Sequence, residues 1–63
     1  MRAFVFVNDN LQAVTTAQAG NNLPRPTAGE WTFNRQMDDA AKELTAQEVN
    51  TLKSEGFFIK QKS

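Results

Sequence analysis

The sequence predicts a small α+β fold: an antiparallel or mixed sheet of three or four strands, with a helical segment packed on one face. Three observations carry this expectation. Residues 2–7, RAFVFV, are rich in Val and Phe and end in the turn-forming triplet Asn8-Asp9-Asn10. Residues 30–36, EWTFNRQ, alternate with a period of two, placing Trp31, Phe33 and Arg35 on one side and Thr32, Asn34 and Gln36 on the other. Leu44–Ile59, LTAQEVNTLKSEGFFI, carries a helix with start and stop signals that runs straight into a strand.

The first strand is apolar on both sides. Ala3, Val5 and Val7 point one way, and Phe4 and Phe6 the other. Such a strand lies between two layers in a large protein, yet 63 residues offer hardly enough material to cover two faces. Residues 11–17, LQAVTTA, read either as a helix capped by Asp9 or Asn10 and ended by Gly20, or as a second strand favoured by Val14, Thr15 and Thr16. The strand reading makes a hairpin. A three-residue loop would pair Val7 with Leu11 and Val5 with Ala13, gathering Ala3, Val5, Val7, Leu11 and Ala13 on one apolar face. A two-residue loop would set Gln12 beside Val5 and Val7, so the three-residue loop is favoured.

Residues 18–29 form a long loop. Gly20, Asn21 and Asn22 break periodicity, and Pro24 and Pro26 hold their predecessors extended. A mobile connector is the plainest role for such a stretch, and a functional loop the alternative. After the strand at 30–36, Met37, Ala40, Ala41 and Leu44 recur at helical spacing behind Asp38 and Asp39, which suit a positive helix start. At about 100° per residue, Val49 and Leu52 fall well to one side of that stripe. Residues 38–55 are therefore one broad-faced helix or two narrow ones. A break at Thr45 is favoured, with a short helix or turn at 38–43 and a firmer helix at 46–55. Thr45 and Glu48 have capping-box spacing, Lys53 sits in the last turn, and Gly56 terminates the helix. The final strand, 57–61, puts Phe57 and Ile59 on one face and Phe58 and Lys60 on the other; residues 62–63 are expected to fray.

Composition narrows function more than any motif does. The chain reads as a single domain over 1–63, with seven Lys and Arg balancing seven Asp and Glu, no Cys and no His. This removes disulfides, thiolate metal sites, the commonest zinc ligand and the commonest general base. The longest apolar run, Ala3–Val7, is far too short for a membrane span or a secretory signal. A soluble, cytoplasmic chain is expected. Asp38 and Asp39 are adjacent and read as helix-start residues rather than an acid–base pair. No Ser or Thr has a His to activate it, and Asn8-Asp9-Asn10 lacks the EF-hand pattern. No enzyme, cofactor or metal site is expected.

Two binding readings remain. RAFVFV resembles the RNP1 strand of RNA-recognition motifs, with Ala3 in place of the Gly and Val5 in place of the Gly/Ala. That resemblance implies bases of a single strand stacking on Phe4 and Phe6 with nearby Arg2, Arg25 and Arg35, but a neutral chain lacks the charge that drives such binding. Residues 38–43 and 46–55 also resemble a helix-turn-helix, with only Lys53 as a basic residue on the second helix.

The favoured reading is protein–protein contact, with another protein or a second copy in a homodimer. Trp31, Phe33, Phe57 and Ile59 are expected as core under the helices. Phe4, Phe6, Arg25, Trp31, Arg35 and Phe58 are the candidate partner-binding residues, because aromatics and Arg anchor interfaces. The residues identify no family. The ending LT-x-x-E-V-x-x-L-x-x-x-GFF resembles those of short phage or prokaryotic proteins, which implies a stoichiometric inhibitor or assembly accessory.

Overall fold

The computed structural model describes residues 1–26 and 29–61. The elements run β1 (Ala3–Asn8), β2 (Leu11–Thr15), β3 (Thr32–Met37), α1 (Ala40–Glu43), α2 (Ala46–Glu55) and β4 (Phe57–Gln61). The strands form one antiparallel sheet in the order β3-β1-β2-β4. This is the expected α+β fold, and residues 11–15 are strand. Residues 62–63, expected to fray, lie outside the described residues, as do 27–28 of the long loop.

The hairpin differs from expectation by one residue. Asn8 pairs with Leu11, Val7 with Gln12 and Val5 with Val14, so the loop is the two residues Asp9 and Asn10. Asp9 takes a positive φ of 51°, a conformation that short polar residues tolerate and two-residue hairpins require. The slip moves Leu11 and Ala13 to the face of Phe4 and Phe6, and Val14 to the face of Ala3 and Val5. Gln12 does sit beside Val7, near the hairpin end where both are only half-buried.

One face is covered by the helices. Ala3, Val5, Val14, Met37, Ala40 and Leu52 are buried together there, with Leu44 and Phe58 packed against them. The helical segment is broken, as favoured: Leu44 is extended and Thr45 caps α2. The Glu48 amide donates to Thr45 Oγ1 at 3.1 Å, and the Thr45 amide donates to Glu48 Oε1 at 2.9 Å. Gly56 closes α2 with φ 86°. The first helix is shorter than expected. It begins after Asp39, whose side chain makes no capping bond, and Met37 belongs to β3.

The other face is covered by the loop between β2 and β3. Phe4, Phe6 and Ala13 are buried there, with Leu23 and Trp31 packed on them. Turn bonds from the Gly20 amide to the Ala17 carbonyl and from the Leu23 amide to the Gly20 carbonyl shape the loop. A polar knot fastens it. Thr15, wholly buried on β2, donates from Oγ1 to Asn22 Oδ1 at 2.7 Å and accepts from the Ala17 amide at 3.0 Å. Asn22 Nδ2 and the Thr16 amide both donate to the Gly56 carbonyl, at 3.2 and 3.1 Å. The far end of the loop is held where Asn8 Nδ2 donates to the Glu30 carbonyl at 2.9 Å.

Because both faces are core, Leu52→Ala and Phe6→Ala should each destabilise the domain severely, by about 2–5 and 3–5 kcal/mol respectively. Urea denaturation checks this, and a near-neutral Phe6→Ala would show that the loop-side face is not core. Glu48 supplies a second expectation. The Thr45 amide, and after it the Lys60 ammonium, draw its carboxyl below its ordinary value of 4.5, against an opposing push from burial. A folded-state value below the unfolded one contributes stability that is complete above 4.5 and lost as the pH falls through the folded value. Urea midpoints taken from neutral pH down to about pH 3 should therefore fall more steeply for the native chain than for Glu48→Gln.

Candidate interaction surface

The register of the sheet decides which apolar side chains remain outside. Phe33 pairs with Phe6, Phe6 with Ala13, and Ala13 with Ile59, so these four form one row across all four strands on the loop-covered face. The Phe33 and Phe6 rings meet edge-on, with centroids 5.6 Å apart. The loop covers the middle of the row and leaves its ends. Phe6 is 7% exposed and Ala13 fully buried, whereas Phe33 is 53% and Ile59 36% exposed. With Met1, these two are the exposed large apolar side chains among the described residues.

This corrects the expectation that Trp31, Phe33, Phe57 and Ile59 lie under the helices. Phe33, Phe57 and Ile59 share the opposite face, and Trp31 packs against its buried cluster. A bulge is one cause. The register of β3 against β1 shifts between Val5 and Phe6, so Arg35 faces the helix side while Phe33 faces the loop side, although the sequence alternation puts them together.

The six candidate residues do not converge. Phe4 and Phe6 are 6% and 7% exposed beneath the loop, so neither offers a ring face to a partner or a base in this arrangement. Phe58 is half-buried in the helix-side cluster. Arg35 sits on the helix side of the outer strand β3 and pairs with Glu43 at 3.0 Å; exposed at both ends, such a pair contributes little, about 0–1 kcal/mol. Trp31 packs against the Phe4 and Phe6 cluster, and it shares with Arg25 an open cleft of about 500 Å³ that Leu23, Pro24 and Glu30 also line. The Trp31 indole is half-buried there and donates from Nε1 to the Pro24 carbonyl at 2.8 Å.

Phe33 and Ile59 lie at the surface, although their place in the strand patterns predicts core. Their exposure follows from strand order, since β3 and β4 are the two edges of the sheet. Among the described residues, no group of three or more Asp or Glu side chains is placed to hold a metal ion. No helix among them is long and apolar enough to cross a membrane. Comparison with protein-family models, curated proteins and solved structures returned no match.

Gly20 sets the loop close over the Phe6 ring. Its φ is 67°, and a Cβ there would lie 2.9 Å from Phe6 Cζ, an atom of a ring already buried. Gly20→Ala should therefore lower stability by more than about 1 kcal/mol, through backbone strain and contact with Phe6 together. Equilibrium denaturation with Trp31 fluorescence as the probe reads it; an unchanged midpoint would mean that the loop does not rest on Phe6.

Proposed function

We propose that this chain is a non-enzymatic interaction module that binds another protein, or a second copy of itself, stoichiometrically. One observation carries the reading. A small domain has used its helices and its long loop to bury both faces of its sheet, yet leaves Phe33 and Ile59 exposed, one on each edge strand. Exposed aromatic and aliphatic side chains beside open strand edges are the surface that protein contacts use. The balanced charge supports a protein partner over a nucleic acid, and the absence of His and Cys supports binding over catalysis. Base stacking on Phe4 and Phe6 would first require the Gly20–Leu23 turn to leave the Phe6 ring. An inhibitor or assembly accessory of a phage or prokaryotic system fits such a module. The cytoplasm is the setting this reading assumes, and a chain without cysteine fits a reducing compartment.

The test compares the native chain with a Phe33→Ser, Ile59→Ser double variant. The variant should stay folded, losing about 1 kcal/mol for the edge-on contact with Phe6 and somewhat more for Ile59. The native chain should form a dimer by light scattering or retain a protein in stoichiometric amount, and the folded variant should do neither. A native chain that remains monomeric and retains no protein would overturn the proposal, as would a variant that binds as well as the native chain.

A further inference from the structure

The two edges of the sheet are not equivalent. The register of β3 is broken by a bulge, a device that spoils an edge for pairing. The register of β4 against β2 is unbroken for all five of its residues, from Thr15–Phe57 to Leu11–Gln61. Lys60 is the one charged residue of β4, and α2 already answers it, because Lys60 Nζ lies 3.3 Å from Glu48 Oε2.

We infer that β4 pairs antiparallel with β4 of a second copy about a two-fold axis at Ile59, joining two sheets into one of eight strands. The inference rests on the proposed binding function and names the partner and the edge. The sequence of the strand selects the register. Continuous antiparallel pairing of identical edges requires a two-fold axis normal to the sheet, so like faces join and the axis passes at a residue position. An axis at Lys60 would set Lys60 opposite itself, which is unfavourable. An axis at Phe58 would leave Lys60 and Gln61 without strand partners, because the chain is helical before Gly56. An axis at Ile59 pairs all five residues: Phe57 with Gln61, Phe58 with Lys60, and Ile59 with itself. On the loop side, this register covers the side chain that is 36% exposed in the single chain. On the helix side, it lays each Lys60 stem along the other copy's Phe58, with each ammonium still beside its own Glu48. A contact of this length lies at the small end of protein interfaces, so the dimer should form and dissociate with concentration.

Disulfide trapping is a clean test, because the chain has no cysteine of its own. Residues directly opposite in an antiparallel pair have Cα atoms about 4.5–5.5 Å apart, within reach of a disulfide. Ile59→Cys should cross-link to a dimer under mild oxidation, and Phe33→Cys, on the other edge, should not. Light scattering on a dilution series of the native chain should show a dimer that Ile59→Lys abolishes and Phe33→Ser leaves intact, with circular dichroism confirming that both variants fold. Should Ile59→Lys unfold, the cross-linking pair decides. A dimer trapped by Phe33→Cys but not by Ile59→Cys, or lost with Phe33→Ser but not with Ile59→Lys, would overturn the β4 inference and leave the binding function standing. A chain monomeric at every concentration, with no trapped dimer, would overturn it too; the binding function would then stand only on capture of a different protein.

Discussion

The structure depends on the hydrogen bonds that join Thr15, Asn22 and Gly56. They tie the end of the hairpin and the first turns of the loop to the distant junction between α2 and β4. A wholly buried hydroxyl is costly unless satisfied, and Thr15 Oγ1 has two acceptors for its proton, Asn22 Oδ1 at 2.7 Å and the Gly56 carbonyl at 3.2 Å. The same knot fixes both layers that cover the sheet. Asn22 anchors the loop on one face, and the Gly56 carbonyl marks where the helical layer returns to the sheet on the other.

The knot answers how so short a chain buries a strand that is apolar on both sides. A helix would be the usual second cover, but Gly20, Pro24 and Pro26 keep the stretch between β2 and β3 from forming one. A loop can serve if its own polar backbone is satisfied. Here turn bonds serve the stretch from Ala17 to Leu23, and the Pro24 carbonyl accepts from Trp31. The prolines themselves bring no N–H that would need a partner. Leu23 and Trp31 then supply the apolar contacts over Phe4, Phe6 and Ala13 that a helix would otherwise provide.

The same two-sidedness explains which parts of the fold could be read from the residues. The Thr45–Glu48 box, the Gly56 terminator and the strand from Phe57 are local signals, each satisfied within a few residues, and all three are present. Hairpin register is different. It is normally set by the need to keep one face apolar, and when Phe4 and Phe6 balance Val5 and Val7, a one-residue slip exchanges one apolar set for another. The decision then passes to Asp9, which can take the positive φ of a two-residue turn, and to Val14, which fills the helix-side core better than Ala13 would. The bulge in β3 leaves no mark in the alternation of EWTFNRQ. Phe33 therefore read as core although it lies at an edge, while Phe4 and Phe6 read as candidate anchors although the loop covers them.

Magnitudes limit what the exposed surface can do. Burying one large aliphatic or aromatic side chain contributes about 1.5–3 kcal/mol when fully exposed to begin with, and Ile59 and Phe33 are already half covered or nearly so. Association costs roughly 4–15 kcal/mol in lost translational and rotational freedom. Neither residue alone can offset that cost, so hydrophobic contact at one side chain does not suffice. A strand edge adds backbone hydrogen bonds to the apolar contact, and a two-fold axis makes each asymmetric contact twice. Among the two edges, the unbulged β4 is the one that can use both, which is why weak, reversible pairing there is a stronger physical expectation than docking through Phe33 on β3.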